Sequence, residues 1–82
     1  MEVQRGQIMR SLAGHDKGDF QVVVKLESTF AYMADGKRRK LEDPKKKKLK
    51  HLAPTSTVLG ENSLSTNRQI RMALAKYREH TT

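Results

Sequence analysis

The chain has 82 residues, 35% of them hydrophobic, 5% aromatic and 32% charged. A polypeptide this short hides only about 60–65% of the surface its unfolded form exposes, which argues against a large catalytic cleft between two lobes. Seventeen Lys and Arg against nine Asp and Glu give a net charge of +8, so anionic polymers or surfaces are the natural partners, nucleic acid first. The absence of cysteine excludes disulfides and thiolate metal sites and fits a reducing, cytoplasmic compartment. No apolar run approaches the ~20 residues of a membrane span, and MEVQRGQIMRS has no secretory apolar core, so a soluble, unexported protein is expected.

From Gly6 to Leu26 the pattern is two strands joined by a glycine-bounded loop, Gly14-His15-Asp16-Lys17-Gly18. Phe20, Val22, Val24 and Leu26 alternate with Gln21, Lys25 and Glu27, which predicts a half-buried strand, and the run Val22 to Val24 favours strand over helix. After Ser28-Thr29 a third strand carries Phe30, Tyr32 and Ala34 on one face, and Asp35-Gly36 matches a type I′ turn of a two-residue hairpin.

The basic segment follows. Lys37, Arg38, Arg39, Lys40, Lys45, Lys46, Lys47, Lys48 and Lys50 face only Glu42 and Asp43, so this stretch holds seven of the eight net positive charges. A solvated loop or a two-part nuclear import signal has the same composition, but an electrostatic footprint for phosphates accounts best for so local an excess. Pro44 interrupts the segment; Leu49 to Leu52 reads as a further short strand before Pro54, and Ser56 to Leu59 as the strand that closes the sheet. Five short strands with turns between them predict a small barrel.

Beyond Gly60, Thr66 and Gln69 match a capping box, and Ile70, Ala73, Leu74 and Tyr77 recur at helical spacing. These predict a helix over Asn67 to Glu79, docked by its apolar stripe, with Arg68, Arg71 and Arg78 opposite and His80, Thr81 and Thr82 frayed. Residues 1–60 would form the barrel and 61–82 a linker and helix.

Gly6-Gln-Ile-Met, then Gly14, Lys17-Gly18 and Val22-Val23-Val24 resemble a KOW motif. The stretch from Lys45 to Thr55, KKKKLKHLAPT, is similar to the basic run of the large-subunit ribosomal protein family L-fourteen-e of archaea and eukaryotes. A bacterial relative acting on the ribosome or its assembly fits equally. The resemblance covers Gly6 to Leu59; where many KOW motifs carry a glycine three places after Gly18, this chain has Gln21. It implies an SH3-like barrel whose glycine loop and neighbouring face contact structured RNA, ribosomal RNA above all. Gly14 and Gly18 would let the loop backbone approach. Lys17, Lys37, Arg38, Arg39, Lys40, Lys45, Lys46, Lys47, Lys48 and Lys50 would contact phosphate, and His15 and His51 would add hydrogen bonds.

No residue set invites catalysis. His15, His51 and His80 are scattered, without the spacing of a metal site. The loop glycines stand one residue closer than in a nucleotide-binding P-loop, with Asp19 and Phe20 in place of its Lys and Ser/Thr. Asp16 and Asp19 read as local turn acceptors, and Phe20, Phe30, Tyr32 and Tyr77 mostly as core, which leaves phosphate charge and RNA shape as the main binding terms. No enzyme activity, cofactor, small-molecule substrate or membrane partner is expected. An SH3-like adaptor for proteins is the alternative, although four aromatics hardly line a peptide groove; docking on an acidic membrane through lysines and helix is a third.

Overall fold

The computed structural model describes residues 2–81, Thr81 by its backbone alone. Five strands form one antiparallel sheet: β1 (Gln7–Ser11), β2 (Phe20–Glu27), β3 (Phe30–Ala34), β4 (Lys45–Lys48) and β5 (Leu52–Val58), with one C-terminal helix, α1 (Asn67–Thr81). Strand order is β4-β3-β2-β1-β5, and a 3₁₀ turn, Leu49–His51, joins the two edge strands. The fold is mainly β. It is SH3-like in outline, but no ladder joins β4 to β5, so the rolled sheet stays open along that seam.

The central strand β2 is apolar on both sides because both faces are covered. Val22 and Val24 meet Ile8, Ala34, Leu64, Ile70 and Leu74, while Val23 points the other way, to Met9, Ala31, Met33 and Leu52. Register shifts between Val23 and Lys25 and between Gln7 and Met9 bend the sheet around the second cluster. The first shift sets Lys25 opposite Tyr32, so Leu26 leaves the covered face where strict alternation places it and is 38% exposed. Gln21, expected on a polar face, is fully buried instead, because that face is the inside of the roll.

The basic segment departs most from expectation. Asp35-Gly36 does not close a two-residue hairpin; ten residues separate β3 from β4. The Asp35 carboxylate accepts the backbone N–H groups of Lys37 (2.8 Å) and Arg39 (2.9 Å), so its side chain organises a broader loop. Gly36 has φ +78°, and a Cβ there would strike the Asn67 carbonyl, so the loop lies directly on the start of α1. Asn67 accepts the Leu41 N–H (2.8 Å) and donates to Glu42 (2.6 Å), pinning the far end of the same loop. The fourth strand is the lysine run itself and not Leu49 to Leu52. The fifth runs unbroken through Pro54, whose missing N–H is tolerated on an edge strand.

Thr66 caps α1 by accepting the Gln69 N–H at 3.1 Å. Ile70 and Leu74 are fully buried, and Tyr77 meets Phe20 edge-to-face with centroids 5.2 Å apart. The helix therefore supplies a wall of the first core cluster. It also continues through His80 and Thr81, where fraying is expected from sequence; Thr82 lies outside the described residues.

Leu74→Ala should destabilise the protein by about 2–4 kcal/mol in urea unfolding, the cost of a cavity at a fully buried leucine. Gly18 has φ +90°, and a Cβ added there would meet only open space, so the strain of Gly18→Val comes from the backbone alone. That change should cost more than ~1 kcal/mol, and an unchanged melting temperature would contradict it.

Candidate functional site

The hairpin between β1 and β2 is held by its own backbone. Ser11 N–H donates to Asp19 O (2.9 Å), Gly18 N–H to Ser11 O (2.8 Å) and Asp19 N–H to Asp16 O (2.9 Å). Gly14 and Gly18 both have positive φ, +79° and +90°, which allows two reversals within five residues. Leu12 N–H then donates to His51 O (2.9 Å), fastening this loop to the 3₁₀ turn after the lysine strand.

Beneath the loop lies an ion cluster. The Asp16 side chain is 3% exposed, and Oδ2 accepts from Arg39 Nε and Lys47 Nζ, each at 3.2 Å. Lys47, only 9% exposed, also donates to Ser11 Oγ at 2.6 Å, and that hydroxyl donates to Ala13 O. Burial alone would raise the Asp16 pKa. The Gln21 amide, the Lys47 ammonium and the Arg39 guanidinium outweigh it and hold the carboxyl below its ordinary value. The Gln21 amide lies against Asp16 without good hydrogen-bond geometry, which leaves its Nε2 and Oε1 without a hydrogen-bond partner, yet its dipole still favours the ionised acid. Asp16 is thus no mere local turn acceptor; it joins β4 and the β3–β4 loop to the glycine loop.

Above the cluster, a groove of about 440 Å³ runs between the glycine loop and β4, with Gly14, His15, Phe30, Arg39, His51 and the lysines Lys45 to Lys48 on its walls. Seven of the nine segment cations, all but Arg39 and Lys47, make no ion pair with an acid among the described residues. Arg39 and Lys47, expected at phosphate, both pair with Asp16, whose single charge offsets one of the two, and both still line the groove. Lys46 Nζ lies 4.4 Å from the Phe30 ring centroid and 6.0 Å from that of Tyr32, which Lys25 also approaches at 5.5 Å.

The structure brings Gly14, His15, Lys45, Lys46, Lys48 and His51 together around one opening. Lys17 and Gly18 sit exposed on the loop outside its walls; Lys37, Arg38 and Lys40 are exposed on the β3–β4 loop; Lys50 borders a separate hollow with Thr29. Asp16 and Phe30 were not among the expected site residues. Phe20, Tyr32 and Tyr77 pack against the first core cluster, as expected for most of the aromatics, whereas Phe30 belongs to neither cluster because its edge-strand neighbours are lysines. No family model matches the chain, and no curated protein matches it closely enough to count as a relative. Among the described residues, no helix is long and apolar enough to cross a membrane.

Asp16→Asn should cost about 3 kcal/mol at neutral pH, the lower end for breaking a buried pair, since Lys47 loses its counter-charge while Arg39 keeps 29% exposure. A depressed carboxyl stabilises the fold above its unfolded pKa of about 3.9 and ceases to do so as pH falls through the folded value. The stability gap between wild type and Asp16→Asn should therefore narrow between pH 7 and pH 3 in urea titrations. An equal gap at both would show that the charge of Asp16 is not what stabilises.

Proposed function

We propose that this protein is a non-enzymatic binder of structured RNA, ribosomal RNA first, acting in the ribosome or its assembly within the cytoplasm. The observation that carries this reading is the convergence of the glycine loop and the lysine strand on one cationic groove. A polyanion gains from such a surface because each neutralised phosphate releases condensed counterions. The resemblance of Gly6 to Leu59 to KOW proteins supports the same partner. The groove walls hold one aromatic ring among several cations, a lining that suits phosphates better than the apolar side chains of a peptide.

With Arg39 and Lys47 sharing Asp16, the candidates for phosphate that have no acidic partner among the described residues are Lys37, Arg38, Lys40, Lys45, Lys46, Lys48 and Lys50, joined by Lys17 from the loop. Neutralising about five phosphates gives a slope of log K against log[salt] on the order of −3.5 to −4.5. Lys45, Lys46 and Lys48 changed together to Gln should weaken binding of different RNA sequences nearly alike and flatten that slope in filter-binding or anisotropy titrations. Arg68→Gln, on the exposed face of α1, should do much less. A larger effect from this helix change, or binding unaltered in high salt, would place the interface elsewhere.

A further inference from the structure

We infer that Phe30 is a stacking platform for one unpaired base of the bound RNA, a view that rests on the RNA reading above and adds a base contact to a surface otherwise built for phosphate. Phe30 starts β3 opposite Lys48, one residue beyond the two-residue Ser28-Thr29 turn, where Ser28 takes φ +52°. It is partly exposed, lies in neither core cluster, and forms part of the groove wall. The other three aromatics pack against the first core cluster, Phe20 and Tyr77 against each other as well, so Phe30 is the ring left to the groove.

Its surroundings fit a nucleotide. Lys46 Nζ sits 4.4 Å from the ring centroid, and Lys48, His15 and His51 line the same opening. A base laid on the ring would carry its flanking phosphates past these two lysines and the imidazole donors, since a nucleotide joins an aromatic base to an anion within one residue's length. The Lys46 ammonium, now over the ring, can move to a phosphate as the base takes its place, exchanging a cation–π contact for a charge-assisted one. The groove volume of about 440 Å³ is within the range of pockets that hold small ligands, and its open form suits one nucleotide of a continuing strand. Stacking on an aromatic is tolerant of base identity, so the contact adds affinity for unpaired positions without a sequence code.

The test compares an adenylate hexamer with an abasic strand of the same length and phosphate count, by fluorescence anisotropy at moderate salt. Wild type should bind the base-bearing strand about 5- to 150-fold more tightly than the abasic one. Phe30→Leu, which keeps an apolar side chain, should erase that difference while preserving the salt slope, and Phe30→Tyr should restore it. Adenosine monophosphate should bind much more weakly than the hexamer. If the two strands bind alike, or Phe30→Leu leaves the preference intact, the stacking role is overturned while the phosphate-binding reading stands. Should the mononucleotide bind as tightly as the hexamer in a Phe30-dependent way, the ligand is a free nucleotide and the assignment to a polymer fails. Loss of binding to both strands and to structured RNA at low salt would overturn the functional reading itself, and the stacking platform with it.

Discussion

The Asp16 carboxylate is the constraint on which the rest of this structure depends. The sheet has no ladder between its edge strands, so among the described residues the backbone ties the glycine loop to the chain after β4 only through the Leu12–His51 bond. The ion pair with Lys47 and the Lys47–Ser11 hydrogen bond hold β4 itself, with Arg39 drawing in the β3–β4 loop from the side. A carboxylate this buried is costly unless compensated, and here two cations and an amide dipole compensate it. Like charges crowd along β4, and one of its four lysines turned inward onto an acid lowers the repulsion that the other three would meet.

That arrangement links core and surface. Ala31, Met33 and Leu52 fill the inside of the roll, and β4 lies over them with Lys47 opposite Ala31 and Lys45 opposite Met33. Lysine stems can cover apolar surface while their ammonium groups reach water or an acid. The strand therefore serves the core with its methylenes and the groove with its charges. On the other face, α1 closes the first cluster through Ile70 and Leu74, and its first residue, Asn67, fixes the loop that bears Lys37 to Lys40. Loss of the helix would thus expose apolar surface and also release the cations of that loop.

Much of this was legible in the sequence, and the exceptions have physical causes. The first three strands and the helix followed from alternation, turn glycines and a capped 3.6-residue period, because each buries a face whose pattern is local. β4 was not legible: lysine has a low strand propensity and KKKK has no alternation, so its conformation is set by pairing with β3 and by a counter-ion thirty-one positions earlier in the chain. Merging Leu52 to Val58 into one strand went unseen since Pro54 reads as a breaker unless the strand is known to be an edge. Charge density in the sequence marks the cations that line the groove, but it cannot distinguish a lysine facing water from one facing Asp16. Phe30 was missed for a related reason: alternation with Tyr32 and Ala34 puts it on a core face, but the core ends before the strand does.

The division of labour among the lysines bears on how so small a fold would hold a polyanion, as proposed, without losing itself. A surface of uniform charge destabilises the compact state, and neutralisation by a ligand then stabilises it, so folding and binding are linked. Here two cations already share an internal counter-ion, and the remaining ones sit on a strand and on a loop pinned at both ends, by Asp35 and by Asn67. Little ordering entropy is then left to lose when an anion arrives, compared with a free lysine-rich tail of equal charge. Under the proposed binding, the same preorganisation would favour ligands whose phosphates match a fixed spacing, as in folded RNA, over flexible polyanions of higher charge density. Shape selectivity of this kind requires the groove to persist in the free protein, and the buried Asp16–Lys47 pair is the interaction that makes it persist.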